Sequence, residues 1–290
     1  MERMLVIGAG TMGRGIAHVG ALAGYEVAIF DAKPEQVESA LAAIRKNLQK
    51  GVDRGKLSAP DMEAAAARLS ATADMEATAA NADVVIEAVY ENLDLKRSLV
   101  ASLDAVMKPD ALLGSNTSSL SLSQIAAAAT KNPARVVGMH FFNPVHIMKL
   151  LEIVRAEQTS DETLERTLAL SERLGKTAIV VRDVPGFATS RLGVCLGLEA
   201  IRMVEQEVAS PADIDTALEL GYRHPMGPLK LSDLVGLDVR LAIADHLHRE
   251  LGGDQYKAPE LMRKMVADGK TGKKSGQGFY RWVDGQPISG

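Results

Sequence analysis

The chain contains 290 residues, of which 47% are hydrophobic and 24% are charged, and its formal net charge is −4. This length exceeds that of a typical single domain and predicts two domains, each with its own core. The slightly acidic balance argues against a nucleic-acid partner, no apolar run is long enough to cross a bilayer, and a single cysteine excludes an intrachain disulfide. The first strand begins close to Met1, which leaves no room for a signal peptide, so we expect a cytoplasmic protein whose partners are small molecules.

The first predicted element is an apolar strand at residues 4–7, which runs into a glycine-rich turn and then an alanine-rich helix. The glycines follow the G-x-G-x-x-G pattern of dinucleotide sites. Gly8 permits a tight turn, Gly10 lets the backbone approach a pyrophosphate, and Gly13 lets the helix pack closely on the strand. The predicted cofactor-binding residues of this turn are Gly8, Gly10, Thr11, Met12 and Gly13.

A second predicted strand, residues 26–30, ends at Asp31. Asp31 follows the glycines by roughly 20 residues, where a carboxylate binds both hydroxyls of an adenosine ribose. Because that carboxylate would repel a 2′-phosphate, the sequence favours NAD as cofactor, although Lys33 nearby would suit NADP.

Farther along, apolar runs bounded by turn residues alternate with helical patterns, which is typical of a parallel sheet covered on both faces. The remaining predicted strands are 82–89, 111–115, 135–140, 150–154 and 177–181. Helical character at 34–50 and 61–69 exceeds what a strand-helix-strand unit needs, so we expect an inserted helical hairpin that projects from the sheet. The pattern predicts a Rossmann-type α/β domain.

The pattern changes at residues 183–187, beyond which strand signals largely stop and helical patterns continue to about residue 268. We therefore predict an α/β domain at residues 1–183 and an all-α domain at residues 184–290. Ser210 is typical of a helix N-cap, and the glycine-rich segment 272–280 is expected to be a loop.

Two polar segments each follow a predicted strand, and they read Ser115-Asn116-Thr117-Ser118-Ser119 and His140-Phe141-Phe142-Asn143-Pro144. Both are expected at the carboxyl edge of the sheet, where open α/β sheets bind ligands. Glu152 lies between apolar residues in the next strand, an expensive place for a carboxylate without a partner. Paired with Glu152, His140 would suit the general base that removes a proton from an alcohol while hydride leaves the same carbon.

These assignments have simpler alternatives. Ser118 would only cap a helix if it does not contact a ligand, and Glu152 would pair with Lys149 or Arg155 if it does not serve His140. No metal site is predicted, because His246 and His248 are two residues apart on a helix and do not share a face.

The chain resembles the L-3-hydroxyacyl-CoA dehydrogenase family over almost its whole length. The matching motifs are Gly8–Gly13, Ser115–Ser119, His140–Pro144, Pro185–Phe187, Pro225–Pro228 and Lys273–Gly276. The resemblance implies an NAD-binding α/β domain, a helical substrate-binding and dimerisation domain, and an active site in the cleft between them. The implied reaction interconverts a short-chain (S)-3-hydroxyacyl-CoA and the 3-oxoacyl-CoA.

The resemblance also implies residue roles. His140 would be the catalytic acid/base and Glu152 its orienting partner, while Ser118 would contact substrate and cofactor. Further implied cofactor contacts are Asn143, Glu91, Lys96 and Lys274, and candidates for binding coenzyme A are Lys50, Arg54 and Lys56.

One position departs from the family pattern. The family often has Asn at the position of Ser190, where it touches the substrate, and Ser offers one polar group where Asn has two. This departure leaves the substrate range less defined than the reaction type. Two other functions also stay open: a dehydrogenase of a free hydroxy acid or sugar acid such as gulonate, and a binding protein that retains the fold without turnover.

A homodimer is also expected. The apolar periodicity of residues 192–201 is denser than a single small helical layer needs, and the resemblance implies dimerisation through the helical domain. The alternative is that this helix forms only the core of its own domain.

Overall fold

The computed structural model describes residues 1–288 and divides the chain into two compact units. The first unit comprises Met1–Val184 and the second begins at Pro185, so the observed boundary lies one residue beyond the one expected from the sequence. The last two residues of the predicted second domain, 289 and 290, lie outside the described residues.

The first unit is built on an eight-stranded sheet with strand order β3-β2-β1-β4-β5-β6-β7-β8. All neighbouring strands are parallel except β6 and β7, which are antiparallel. The apolar runs of the sequence form the central strands, which are buried on both faces as parallel sheets require. The strands are β1 (Arg3–Ile7), β2 (Glu26–Phe30), β3 (Leu69–Ala71), β4 (Val84–Glu87), β5 (Leu112–Ser115), β6 (Val136–Phe141), β7 (Leu150–Arg155) and β8 (Thr177–Arg182).

The helices of this unit are α1 (Thr11–Leu22), α2 (Pro34–Asp53), α3 (Ala59–Ala67), α4 (Met75–Ala79), α5 (Leu93–Val106), α6 (Leu122–Ala126) and α7 (Asp161–Arg173). The expected hairpin is α2 and α3, but both helices pack on α1. Val37, Ala40, Ile44 and Leu48 of α2 are buried in the core cluster of this unit at helical spacing. The hairpin is therefore part of the core and does not simply project from the sheet.

Strand β3 was not predicted, because three partly exposed residues directly after a helix carry no alternating apolar signal. It pairs with β2 and forms one edge of the sheet.

The second unit is mainly helical, with α8 (Thr189–Glu205), α9 (Pro211–Thr216), α10 (Pro228–Val235), α11 (Leu237–Leu251) and α12 (Glu260–Ala267). Ser210 caps α9 as expected, since its hydroxyl accepts a hydrogen bond from the amide of Asp213. The expected loop at residues 272–280 contains a short 3₁₀ turn at Lys273–Ser275, and after it Arg281–Val283 (β9) and Gln286–Ile288 (β10) form an antiparallel hairpin that was not expected in an all-α domain. Within residues 1–288, none of the helices combines the length and the hydropathy needed to cross a membrane.

Candidate functional site

The glycine-rich turn between β1 and α1 has the geometry that a dinucleotide needs. Gly8 has a φ of +98°, which side-chain-bearing residues rarely adopt, and a Cβ on Gly13 would overlap the carbonyl oxygen of Gly8. Gly10 occupies the N-cap position of α1, with open space around its missing side chain. Thr11 and Met12 begin the helix, and no side chain caps the amides of this first turn. The turn therefore leaves backbone donors and room for a phosphate group.

Asp31 lies against the same turn. One carboxylate oxygen accepts a hydrogen bond from the amide of Ala9 at 2.8 Å, and the other accepts one from the amide of Lys33 at 3.0 Å. The carboxylate is thus held beside the phosphate-binding turn, where the ribose of a dinucleotide would lie. The residues present in the turn fit NAD.

His140 and Glu152 form a buried pair. Because β6 and β7 run antiparallel, His140 lies directly opposite Glu152 in the ladder. Nδ1 of His140 is 2.7 Å from Oε2 of Glu152, and the two residues are 8% and 0% exposed. Arg155, one of the two alternative partners of Glu152, pairs with Asp161 instead. A carboxylate on Nδ1 orients the imidazole and stabilises its protonated form, which suits an acid/base.

The serine-rich segment after β5 is organised by Glu91. One oxygen of Glu91 accepts hydrogen bonds from the hydroxyl of Thr117 at 2.8 Å, the amide of Ser118 at 2.8 Å and the amide of Ser119 at 2.9 Å. The Ser118 hydroxyl is 3.3 Å from the same oxygen. Burial would raise the pKa of Glu91, but the charge of Lys96 and these hydrogen bonds outweigh it and lower the pKa. Glu91 is therefore an anion that orders this segment, and Ser118 stays exposed.

Lys96, which the resemblance implies as a cofactor contact, is fully buried and pairs with carboxylates in the structure. Its side chain has no exposed surface, and its Nζ lies 2.8 and 2.9 Å from the two carboxylate oxygens of Glu87 and 3.5 Å from Glu91. Glu87 also accepts hydrogen bonds from the hydroxyl of Ser115 and the amide of Val89. Lys96 is thus a buried counter-charge for both Glu87 and Glu91.

Sequence reasoning missed Glu87 and Asn116. The signal for Glu87 was present, since it is a carboxylate at the end of an apolar strand, as Glu152 is within one. Asn116 lies in a segment that was noticed, but no role was assigned to it. Its side-chain oxygen accepts a hydrogen bond from the amide of Phe141 at 3.0 Å. This bond ties the serine-rich segment to the end of the strand that carries His140, and the exposed Asn143 follows two residues later.

The predicted coenzyme A contacts lie where α2 ends. Lys50 lies in the last turn of α2, Arg54 is the C-cap residue, and Lys56 lies in the connection to α3. All three residues are exposed. The structure therefore brings these three cations together at one end of the hairpin.

The remaining predicted residues belong to the second unit. Ser190 lies in the first turn of α8 and is half-buried, and the N-cap position belongs to Ala188, so Ser190 is not the cap. Lys274 lies in a short 3₁₀ turn, and its Nζ is 2.6 Å from a carboxylate oxygen of Asp238 in α11.

Comparison with known proteins identifies related chains along the whole length. Residues 3–184 match the NAD binding domain of 3-hydroxyacyl-CoA dehydrogenase, and residues 186–282 match the C-terminal domain of the same enzyme. A probable 3-hydroxybutyryl-CoA dehydrogenase of Bacillus subtilis is 44% identical over 98% of this chain and 98% of that protein. A 3-hydroxyadipyl-CoA dehydrogenase of Escherichia coli is 42% identical over 97% of this chain and 59% of that protein.

The fold agrees with this relationship. The crystal structure of an (S)-3-hydroxybutyryl-CoA dehydrogenase from Ralstonia eutropha has a TM-score of 0.92 and 38% sequence identity to this chain. The match covers 98% of this chain and 100% of that one.

Proposed function

The chain belongs to the 3-hydroxyacyl-CoA dehydrogenase family, and from this premise we propose that it interconverts a short-chain (S)-3-hydroxyacyl-CoA and the 3-oxoacyl-CoA. The cofactor of this family is NAD. The observation that carries the proposal is the buried pair of His140 and Glu152 at 2.7 Å. An acid/base of this kind has a use in alcohol oxidation and no use in a protein that only binds a ligand.

His140 performs the proton transfer. In oxidation, Nε2 of the neutral imidazole accepts the proton of the substrate hydroxyl while Nδ1 remains hydrogen-bonded to Glu152. In reduction, the protonated imidazole returns that proton to the oxygen of the 3-oxo group. NAD bound at the glycine-rich turn supplies the hydride acceptor. Glu152 orients the imidazole and stabilises the imidazolium that forms.

The other residues of this edge position the reactants. The exposed hydroxyl of Ser118 donates to the oxygen of the substrate near the reacting carbon, and Asn143 contacts the nicotinamide. Glu91 binds the nicotinamide half of the cofactor and holds Ser118 in place. Lys96 is a positioning residue, because it reaches Glu91 and Glu87 and has no exposed surface.

Coenzyme A and the acyl group are bound by other parts of the chain. The exposed cations Lys50, Arg54 and Lys56 bind the phosphates of coenzyme A, Ser190 contacts the acyl group, and Lys274 contacts the cofactor. Sequence identity does not separate the two acyl groups named among the relatives, since the hydroxybutyryl and hydroxyadipyl enzymes are 44% and 42% identical to this chain.

We also propose a homodimer in the cytoplasm, formed through the second unit. Leu192 and Leu196 lie one turn apart on α8 and are 71% and 36% exposed, which leaves an apolar strip for a second copy to cover. Static light scattering at micromolar concentration is expected to give twice the chain mass of 30.9 kDa. A monomer mass would contradict the dimer without affecting the proposed reaction.

Kinetics with and without coenzyme A test the proposed reaction. NADH oxidation is measured with acetoacetyl-CoA and with acetoacetate at equal concentrations. We expect turnover with the thioester and at least about 100-fold lower kcat/KM with the free acid, since the coenzyme A contacts are lost. Equal activity would favour a dehydrogenase of free hydroxy acids. NADH binding without turnover of either compound would favour a binding protein.

A further inference from the structure

One loop joins the two strands of the acid/base pair. Residues 142–149 connect the end of β6, which carries His140, to the start of β7, which carries Glu152. Six of the eight side chains in this loop are exposed, Phe142 is half-buried, and Val145 is buried. Little apolar surface is therefore available to hold the loop in place, and its position depends on polar contacts.

Lys176, directly before β8, provides such contacts. It is 8% exposed, and its Nζ donates hydrogen bonds to the carbonyl oxygens of Val145 and Met148, the second at 2.8 Å. The amide of the next residue, Thr177, donates to the carbonyl oxygen of Lys149 at 2.8 Å. Among the residues that the structure describes, only backbone oxygens accept hydrogen bonds from this ammonium group.

A buried ammonium group is an unfavourable way to hold a loop. Its desolvation costs free energy that the dipoles of two carbonyl groups offset only in part. Burial, together with the charge of Lys149, accordingly lowers the pKa of Lys176 to about 8. The fold therefore retains an unfavourable charge at the point where it fixes residues 145–148.

The same loop packs on α1, the helix that begins at the glycine-rich turn. A Cβ on Gly15 would lie 2.8 Å from the Cβ of Val145, so the absence of a side chain at Gly15 permits this close approach. His18, one turn farther along α1, stacks on His146 with the ring centroids 5.1 Å apart. The loop thus connects the helix of the cofactor turn to the strand of the acid/base. A shift of the loop would move Asn143 relative to both.

We propose that Lys176 is a positioning residue for the nicotinamide half of NAD. By fixing residues 145–148, it holds Asn143, which lies two residues before Val145, at the place where the nicotinamide binds. This inference rests on the proposed function, in which Asn143 contacts the nicotinamide. The adenosine half of the cofactor is bound by the glycine-rich turn and Asp31, and Lys176 does not act on it.

Two ligands that share the adenosine half test the proposal. Binding of NADH and of ADP-ribose, which lacks the nicotinamide, is measured by calorimetry at neutral pH. Lys176→Met removes the ammonium group, and we expect Kd to rise about 3- to 10-fold for NADH and less than about twofold for ADP-ribose. With acetoacetyl-CoA, kcat is expected to fall at least about tenfold, because the nicotinamide is no longer held in line with His140. Urea unfolding shows whether the variant is folded.

The pH dependence of binding is a second test and needs no change at Lys176. The ammonium group loses its charge as pH rises through about 8. His18 and His146 also face Lys176, and both are neutral above pH 7 because their pKa values are lowered. Between about pH 7 and about pH 9.5, we expect the native affinity to fall about 2- to 5-fold for NADH and to stay constant for ADP-ribose.

Lys149→Met is the matched control. It removes an exposed lysine from the same loop and is expected to retain NADH affinity at pH 7. Because the charge of Lys149 lowers the pKa of Lys176, this variant should move the fall in NADH affinity to higher pH. A residue that only stabilises the fold would not give such a shift.

Unchanged NADH affinity in the folded Lys176→Met variant would overturn the proposal. Equal losses of NADH and ADP-ribose affinity would also overturn it and indicate that Lys176 only stabilises the first unit. If the variant does not fold, a native NADH affinity that is constant across the pH range would overturn it. A native protein that binds NADH without turnover of acetoacetyl-CoA would contradict the proposed function, and the two binding experiments would still decide the role of Lys176.

Discussion

Substitution of Lys96 by Met is expected to destabilise the first unit strongly. The Lys96 side chain has no exposed surface, and its Nζ neutralises Glu87, which is also fully buried, at 2.8 and 2.9 Å. Removal of one partner of a buried ion pair leaves the other charge without compensation and costs about 3–5 kcal/mol. At about 2–4 °C per kcal/mol for a domain of this size, Tm is expected to fall by roughly 6–20 °C.

Urea unfolding of matched variants measures how much the Lys96–Glu87 ion pair contributes to the free energy of unfolding. The double variant Glu87→Gln and Lys96→Met removes both charges, and we expect it to recover much of the loss, because neither charge is then left unpaired. Lys108→Met is the control, since it breaks a pair with Asp83 that has the same 2.8 Å distance but is about one-third exposed. That variant is expected to lose at most about 1 kcal/mol.

Measurement of NADH affinity decides between the two roles of Lys96. If Lys96 acts by supporting Glu91, we expect Lys96→Met to be less stable than the native protein. The double variant is expected to regain stability. It is not expected to regain full NADH affinity, because Glu91 still lacks its cation. If the Lys96→Met protein unfolds at the native urea concentration while its NADH affinity falls about tenfold, the buried-pair reasoning is refuted. Lys96 would then contact the cofactor directly.

Three further predictions concern cofactor choice, catalysis and pH. Asp31→Ala is expected to weaken NAD binding by about 1–3 kcal/mol and NADP binding less, and equal losses in fluorescence titration would contradict the ribose contact. His140→Ala is expected to lower kcat by about 10²–10⁴ with NADH affinity retained, and Glu152→Gln also loses rate; near-normal turnover in either variant excludes its role. Burial and the charges of His146 and Lys176 lower the pKa of His18 from 6.5 to about 4. Between pH 6.5 and about pH 4 the unfolded state therefore binds more protons than the folded state. The free energy of unfolding is expected to fall as pH drops through that range. His18→Gln should reduce the difference between urea unfolding at about pH 7.5 and about pH 5, and an unchanged difference would assign the acid sensitivity to other groups.

Much of the fold was predictable because its signals are local. The apolar runs marked the strands of the sheet except β3, which is too short and too exposed to carry a pattern. The change at residues 183–187 lies beside the observed boundary between the units. The hairpin β9–β10 was not predicted, since two strands of three residues each are too short to show a periodicity.

The sequence alone was enough to predict the glycine-rich turn between β1 and α1. The positive φ of Gly8 and the close packing at Gly13 follow from the absence of a side chain, and Asp31 follows its strand directly. The glycine pattern and the position of Asp31 are read directly from the sequence, although the hydrogen bond from Ala9 to Asp31 joins two segments of the chain. The pairing of His140 with Glu152 was also predictable, because a carboxylate inside an apolar strand requires a partner.

Only the tertiary structure decided how these residues meet. β7 runs antiparallel to β6, and this direction places Glu152 opposite His140 in the ladder. The burial of Lys96 on Glu87 and that of Lys176 beside Met148 depend on contacts between segments of the chain that are apart in sequence. The direction of a strand is set by the path of the whole chain. Whether a charge is buried depends on the balance between its desolvation and the partner groups around it. A local sequence pattern encodes neither of these features.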